Sequence, residues 1–364
     1  MLTITAPTAY LQQPGLRKQA GEHIQPHARV LRILTSPRAW QAVNPELSHS
    51  LESAGIRWQL EYLDGECTDE AIVRLRDNVV AQGAQGILAV GGGRVLDCAK
   101  AAADTLDDVV LINFATLAAT CAAWSPFAIV YNAQGGHHHG LLVTKKPTLV
   151  LVDSEVIAHT DVRYLKAGIV DALAKWFELE PYQRQNPGRL ALDLKVSVAC
   201  QALDVYAQWG SEAVIANQNQ LVTPALEKVI EANIVLAGLA NSVHDDLPTP
   251  GVAHEIHNRL THEPELHDLL HGEKVGYCLL IQSLLDRGQQ PDEHLVSLLR
   301  QYDSPLTLSA LTGDVAARLR QIAREIPFPA ASLAHLPFTI TVEKLERAFV
   351  ATIAGMKEKP IDQD

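Results

Sequence analysis

The chain has 364 residues, 47% hydrophobic and 20% charged, enough apolar material for about two domains with ordinary cores. Its 30 basic and 42 acidic side chains leave a net charge of −12, which argues against nucleic acid and anionic membrane surfaces as partners, since both select a basic footprint. The 5 cysteines are odd in number and include no C-x-x-C pair, which argues against a disulfide framework or zinc knuckle and for a reducing compartment. Residues Met1–Gly15 lack a basic region followed by a long apolar run, and no run of about 18 apolar residues follows anywhere, so a cytoplasmic location is expected.

The first half reads as alternating strands and helices. Val30–Thr35 is a short apolar strand ending at Ser36-Pro37, and Arg57–Tyr62 is a second. Asp69–Gln82 has helical periodicity. Gly86–Val90 is a buried-type strand that runs into Gly91, Gly92 and Gly93, after which Val95–Thr105 reads as an Ala-rich helix. Val109–Phe114, Phe127–Tyr131 and Thr148–Val152 complete the strands. Continuous apolar strands separated by helices predict a mostly parallel sheet covered on both faces. Beyond Asp153 the pattern turns helical: Leu165–Leu179, Leu190–Trp209, Pro224–Val243, Val252–Leu260, Gly272–Leu285, and further segments up to Gly355. Residues Pro181–Gly188 and Asp245–Pro250 read as loops. The expected division is therefore an α/β domain over 1–153 and a helical domain over 154–364.

Three glycines between a buried strand and a helix let backbone N–H groups approach a ligand, and the helix N-terminus adds partial positive charge. Together they suit a pyrophosphate, although the pattern is neither G-x-G-x-x-G nor a P-loop. The loop Ala115–Tyr131 follows a buried strand with small and hydroxyl residues, among them Thr116, Thr120 and Ser125. Such a loop belongs at the carboxyl edge of an open sheet, where ligands bind.

In the helical half, Asp171 lies in KAGIVDALAKWFE, His254 and His257 in VAHEIHN, and His267 and His271 in LHDLLHGEK. One carboxylate and two imidazoles drawn from these helices suit zinc or another divalent ion, and three protein ligands leave the open position that catalysis needs. The run His137–His139 sits in a Gly-flanked segment and reads as an exposed turn without a functional metal.

The motifs GGG-x-x-x-D-x-A-K, G-x-x-D-A-L-A-x-W-F-E, A-H-x-I-H-N and L-x-H-G-E-K-V, spread over about residues 91–275, resemble the iron-containing alcohol dehydrogenase superfamily. Within it the chain is similar to the glycerol dehydrogenase branch, and T-x-A-A-T-C-A-A-W with D-x-L-A-K-W points toward hydroxycarboxylate dehydrogenases there. The resemblance implies a dinucleotide-binding α/β domain, an all-α metal-binding domain and an active site in the cleft between them. It implies Asp171, His254 and His271 as metal ligands, with His257 and His267 as neighbours. It implies Gly92, Gly93 and Arg94 around the pyrophosphate, and Thr116, Ser125, Phe127 and Tyr131 toward the nicotinamide and its ribose; the glycine turn and the hydroxyl loop add Gly91 and Thr120 as candidate cofactor contacts. Lys175 stands where iron-type members carry a fourth ligand, which favours zinc, and Cys121 stands where glycerol dehydrogenases carry an Asp.

Hydride transfer between NAD(P)H and a small 2-oxo or 2-hydroxy acid is the expected reaction, with a glycerol, polyol or alcohol dehydrogenase using NAD as the alternative. Replacing an acid by Cys121 and adding Lys175 makes the cleft more positive by about two charges, and one unit pair at roughly 4 Å is worth about 4 kcal/mol at an effective dielectric of 20. Lys175 could instead pair with Asp171 or Glu178, and Cys121 could pack or act as a soft ligand. His257 is a candidate proton donor. Strand Val30–Thr35 ends in Ser36 and Arg38 with no acid, so NADP(H) is expected over NAD(H). A dehydroquinate synthase-like enzyme would need a Lys/Arg phosphate cluster near the metal, and none is evident; a cofactor-binding protein without turnover would not need an open metal site. A small-molecule substrate and a homo-oligomer are expected.

Overall fold

The computed structural model describes residues 1–288 and 290–354. Ten strands occur among them: β1 (Thr3–Ile4), β2 (Ala9–Gln13), β3 (Val30–Thr35), β4 (Arg57–Tyr62), β5 (Gly86–Gly91), β6 (Val110–Ala115), β7 (Phe127–Tyr131), β8 (His137–Leu142), β9 (Leu149–Asp153) and β10 (Val243–His244). Six form one parallel sheet in the order β2-β9-β6-β5-β3-β4. The central strands GILAVG and LVLVD are buried at every position because helices cover both faces. Leu31, Ile33, Leu88, Val90, Ile112 and Phe114 point into one core, and Leu34, Ile87, Ala89 and Leu111 into the other, the period-2 alternation of a strand.

From β3 the chain crosses to β4 on one side and then to β5 on the other. The strand order thus reverses between β3 and β5, and ligands of open α/β sheets bind at the carboxyl ends flanking such a point. Those ends are Thr35-Ser36 and Gly91–Gly93, held level by a 2.7 Å hydrogen bond from Thr35 Oγ1 to the Val90 carbonyl.

After Asp153 the chain is mainly helical. We propose Asp153 as the domain boundary, although β1 reaches across it to pair antiparallel with β10. No helix among the described residues is long and apolar enough to cross a membrane.

Several sequence expectations need correction. β2 was not foreseen: AYLQQ is short, polar and half-buried at a sheet edge, so it carries little hydrophobic signal. His137–His139 is not a turn but opens strand β8, paired antiparallel with β7. Pro181–Gly188 is not all loop, because one helix runs from Val162 to Gln185 through Pro181. A proline leaves the carbonyl four residues earlier without its helical donor. Here that carbonyl, of Phe177, accepts a 2.7 Å hydrogen bond from Gln282 Nε2, which satisfies the acceptor that the proline strands. Leu190–Gln218 runs longer than expected, and the helix from Pro224 contains a π segment at Ala232–Leu236. That irregularity aims the buried Asn233 amide at the Ala118 carbonyl, 2.8 Å away, while its oxygen accepts from Tyr206. The last described helix is Val342–Ala354, and Gly355 lies outside the described residues.

Candidate active site between the sheet and the helices

Gly91 ends β5, and Gly92 and Gly93 open the Gly93–Asp104 helix. A Cβ at Gly93 would face Thr120 Oγ1 at 3.6 Å, so the bare backbone and the hydroxyl loop enclose one shared space. The loop is pinned from below. Asp97 and Lys100, one turn apart on the same helix, form a buried pair at 2.8 Å. Lys100 Nζ donates to the carbonyls of Ser125 and Phe127, and Asp97 accepts from the Ile129 N–H at 3.1 Å. This explains why the glycine motif carries an Asp and a Lys: they hold β7 and the loop before it over the helix N-terminus. In the sequence both residues stand inside the glycine motif with nothing local to show this task, because their partners lie 25 to 32 residues further on.

Thr116 and Ser125 are buried, and Thr120 is half-buried with Oγ1 accepting from the Ala122 N–H. Ser125 Oγ lies 3.4 Å from Asn241 Nδ2, which also sits 3.6 Å from Cys121 Sγ. Asn241 is a residue the sequence did not flag. Phe127 meets the His244 ring edge-on at 5.7 Å, and Tyr131 meets His137. Arg94 is exposed and pairs with Glu66 at 3.1 Å, so reaching a pyrophosphate requires it to leave that partner. Ser36 caps the Pro37–Val43 helix by accepting from the Ala39 N–H, and Arg38 beside it is exposed with no ion pair among the described residues.

On the helical side, Asp171 comes from Val162–Gln185, His254 from Val252–Leu260, and His271 from the first position of His271–Arg287. Two glycines allow this convergence. A Cβ at Gly272 would fall 1.9 Å from the Ala167 carbonyl oxygen, and one at Gly168 would fall 1.9 Å from that of Ala118. Only bare backbone lets the His271 helix and the Ala118 loop press against the Asp171 helix.

Asp171 Oδ1 lies 3.3 Å from His254 Nε2 and 3.1 Å from His271 Nε2. Donors about 2.1 Å from a tetrahedral ion are about 3.4 Å apart, so the three atoms fit the corners around one divalent cation. Glu178 completes the arrangement. Its carboxylate takes the His254 Nδ1 proton at 2.8 Å and the His254 backbone N–H at 2.9 Å, which leaves Nε2 facing Asp171. Such a carboxylate–imidazole pair fixes the tautomer and raises ligand basicity. In the sequence Glu178 stands out only as a partner for Lys175; its position one turn beyond Lys175 and two beyond Asp171 is the signal for this second role.

Burial works against charge on Asp171, but Lys175, His271 and His254 hold its carboxyl well below the usual range. Burial also disfavours a charged His254, yet Glu178 and Asp171 outweigh it and raise the imidazole to about 9. Lys175 is buried, with Nζ 3.9 Å from Asp171 Oδ1 and 3.5 Å from His254 Nε2. Burial opposes its ammonium, and the carboxylates of Asp171 and Glu178 restore it to above its ordinary value. Burial pushes the Cys121 thiol up, so it is neutral. His257 stacks edge-on against His271 at 4.3 Å, and burial, reinforced by the nearby Lys274, keeps it well below the usual imidazole range. It is therefore a neutral ring rather than a ready acid. His267 is turned away, with Nε2 3.0 Å from the Thr261 carbonyl.

Residues 7–154 match the model of the iron-containing alcohol dehydrogenase family. The glycerol dehydrogenase of Pseudomonas putida is 30% identical over 356 residues, spanning 95% of this chain and 96% of that protein. The chain belongs to the iron-containing alcohol dehydrogenase family. Hydroxycarboxylate dehydrogenase A of Escherichia coli K12 is 34% identical over 268 residues, 72% of this chain and 73% of that one. The structure of a probable glycerol dehydrogenase from Sinorhizobium meliloti 1021 superposes with a TM-score of 0.86 at 28% identity, covering 98% of this dehydrogenase and 99% of that chain. The family resemblance read from the motifs and the expected α/β-plus-helical fold are thereby established. This is a metal-dependent, nicotinamide-using family of dehydrogenases acting on alcohols. The expectation of a 2-oxo acid substrate has less behind it than its alternative, since glycerol dehydrogenases are among the full-length likenesses while the hydroxycarboxylate dehydrogenase match spans 72% of the chain.

Proposed function

We propose that this dehydrogenase oxidises a hydroxyl of a small polyol or alcohol of the glycerol class, and reduces the matching carbonyl, with a nicotinamide cofactor bound at the β3–β5 crevice. The observation that carries the reading is the Asp171–His254–His271 cluster on the helical side, with Asp171 buried and both imidazoles half-buried, within a family whose full-length relatives include glycerol dehydrogenases. When bound, a divalent metal supplies Lewis-acid polarisation of the substrate oxygen and the nicotinamide takes or gives the hydride. Asp171, His254 and His271 would hold the ion, and the hard-to-borderline donors favour zinc. Gly91–Gly93 would accept the pyrophosphate and Thr116, Thr120, Ser125, Phe127 and Tyr131 would border the nicotinamide half. Glu178 keeps the proton of His254 on Nδ1. Ser36 and Arg38, with no acid beside them, favour NADP(H) over NAD(H).

A second reading is favoured by one observation: buried Lys175 lies 3.9 Å from Asp171, in a pocket where Cys121 is a neutral thiol rather than an acid. A lysine there supports recognition of the carboxylate of a 2-oxo acid, with Asn241 beside Cys121 lining the same wall. One substrate panel separates the readings. Glycerol and other polyols, 2-oxo acids and neutral aldehydes are assayed with both cofactors at the NAD(P)H absorbance band. Turnover confined to polyols and aldehydes supports the first reading; kcat/KM highest for 2-oxo acids, and lost selectively in Lys175→Met, supports the second. No turnover with any of the three classes would overturn both.

A further inference from the structure

We propose that Asp69, His138 and His139 form a second metal site, for a zinc-type divalent ion, on the outer edge of the β7–β8 hairpin. The register of that hairpin pairs Val130 with His139 and Tyr131 with His137, so His138 is one residue too many on β8. In a regular strand neighbouring side chains point to opposite faces, whereas a bulge re-aims one of them. Here both imidazoles turn to the same carboxylate. Asp69 Oδ2 lies 3.3 Å from His139 Nε2 and 3.6 Å from His138 Nε2. The three donor atoms fall within 4.8 Å of one another. Those separations bracket the roughly 3.4 Å edge expected around a tetrahedral ion and match the 3.1 and 3.3 Å of the Asp171 cluster.

A plain hydrogen bond explains His139 but not His138. At 3.6 Å its Nε2 is beyond hydrogen-bond range, and its side chain makes no other polar contact among the described residues. Two imidazoles and one carboxylate select a borderline transition metal over magnesium or calcium, which want more oxygen donors. The site joins parts of the chain distant in sequence. Asp69 is the first residue of the Asp69–Gln82 helix, fixed by the Thr68 cap. The hairpin carries Phe127 and Tyr131 on its other strand, and its turn end docks on the helical half through His137 N–H to Thr261 Oγ1 at 2.7 Å and His262 Nε2 to the His137 carbonyl at 3.0 Å. An ion here would clamp the hairpin that borders the nicotinamide space.

Zinc stoichiometry is read by elemental analysis on tag-free full-length protein equilibrated in micromolar zinc, alongside hydrogen–deuterium exchange. Expected are a second ion per chain in the wild type, its loss in the His138→Ala/His139→Ala variant with dehydrogenase activity retained, and its persistence in Asp171→Asn. Exchange across the hairpin should slow on adding zinc to Asp171→Asn and not to the same protein also carrying His138→Ala/His139→Ala. Metal content that is the same with and without His138→Ala/His139→Ala, in the wild type and in Asp171→Asn, would overturn the proposal.

Discussion

At the residue scale, the behaviour of His254 follows from Glu178. In the metal-free protein burial opposes the imidazolium, but Glu178 and Asp171 raise it to about 9, so an incoming ion must displace the Nε2 proton. Metal affinity should therefore fall as pH falls below that value, about tenfold per unit for one competing proton. Chelator competition between pH 8 and pH 6 should show roughly a 100-fold weakening. Glu178→Gln removes the group that raises His254, so its profile should shift to lower pH, with about 10–100-fold weaker binding at high pH. An unshifted profile in that variant would refute the role given to Glu178. Ser36 offers a second test. As an N-cap, Asp serves as well as Ser, so Ser36→Asp should leave thermal stability within about 0.5 kcal/mol while its charge repels a 2′-phosphate. Relative kcat/KM should move toward NAD(H); an unchanged cofactor ratio would exclude this position from the ribose pocket.

At the element scale, the site depends on how closely helices approach. Gly272→Ala would put a methyl 1.9 Å from the Ala167 backbone oxygen, which no rotamer change can relieve. The cost should exceed the ordinary overpacking of about 1–3 kcal/mol, and metal content should fall with it. Gln282 does a subtler job: its amide donates to the Phe177 carbonyl freed by Pro181, and its oxygen accepts from the Ala253 N–H beside His254. Gln282→Leu should leave both groups unsatisfied, at about 1–3 kcal/mol each, as read by denaturant unfolding. Lys100→Met should cost about 3–5 kcal/mol by stranding the buried Asp97, with weaker cofactor binding because β7 and its loop lose their anchor. Most strands and helices were legible because apolar runs and helical periods act locally. The helix through Pro181 was not, because the partner that rescues it lies about a hundred residues away at Gln282. β8 was misread because His-His-His carries no hydrophobic alternation, and β2 because an edge strand buries little.

At the scale of the whole molecule, Asp171, His254 and His271 stand out in the sequence as residue types able to hold a metal, and the structure brings them together from three helices. Their supports were not. Glu178, Asn241 and the Asp97–Lys100 pair act through partners far along the chain, and a single sequence does not display such pairs. The sheet reversal between β3 and β5 puts Ser36 beside the glycine turn, a juxtaposition that depends on strand order alone. The central claim is that the Asp171 cluster holds the ion on which nicotinamide-linked turnover depends. The most direct measurement is NAD(P)H-coupled activity on the panel substrate with the highest kcat/KM, followed with metal content through chelation and zinc add-back, in the wild type and in His271→Ala. The account predicts activity that falls with metal content, returns with zinc in the wild type and stays absent in a folded His271→Ala. Metal-free protein that turns over at the wild-type rate would contradict it.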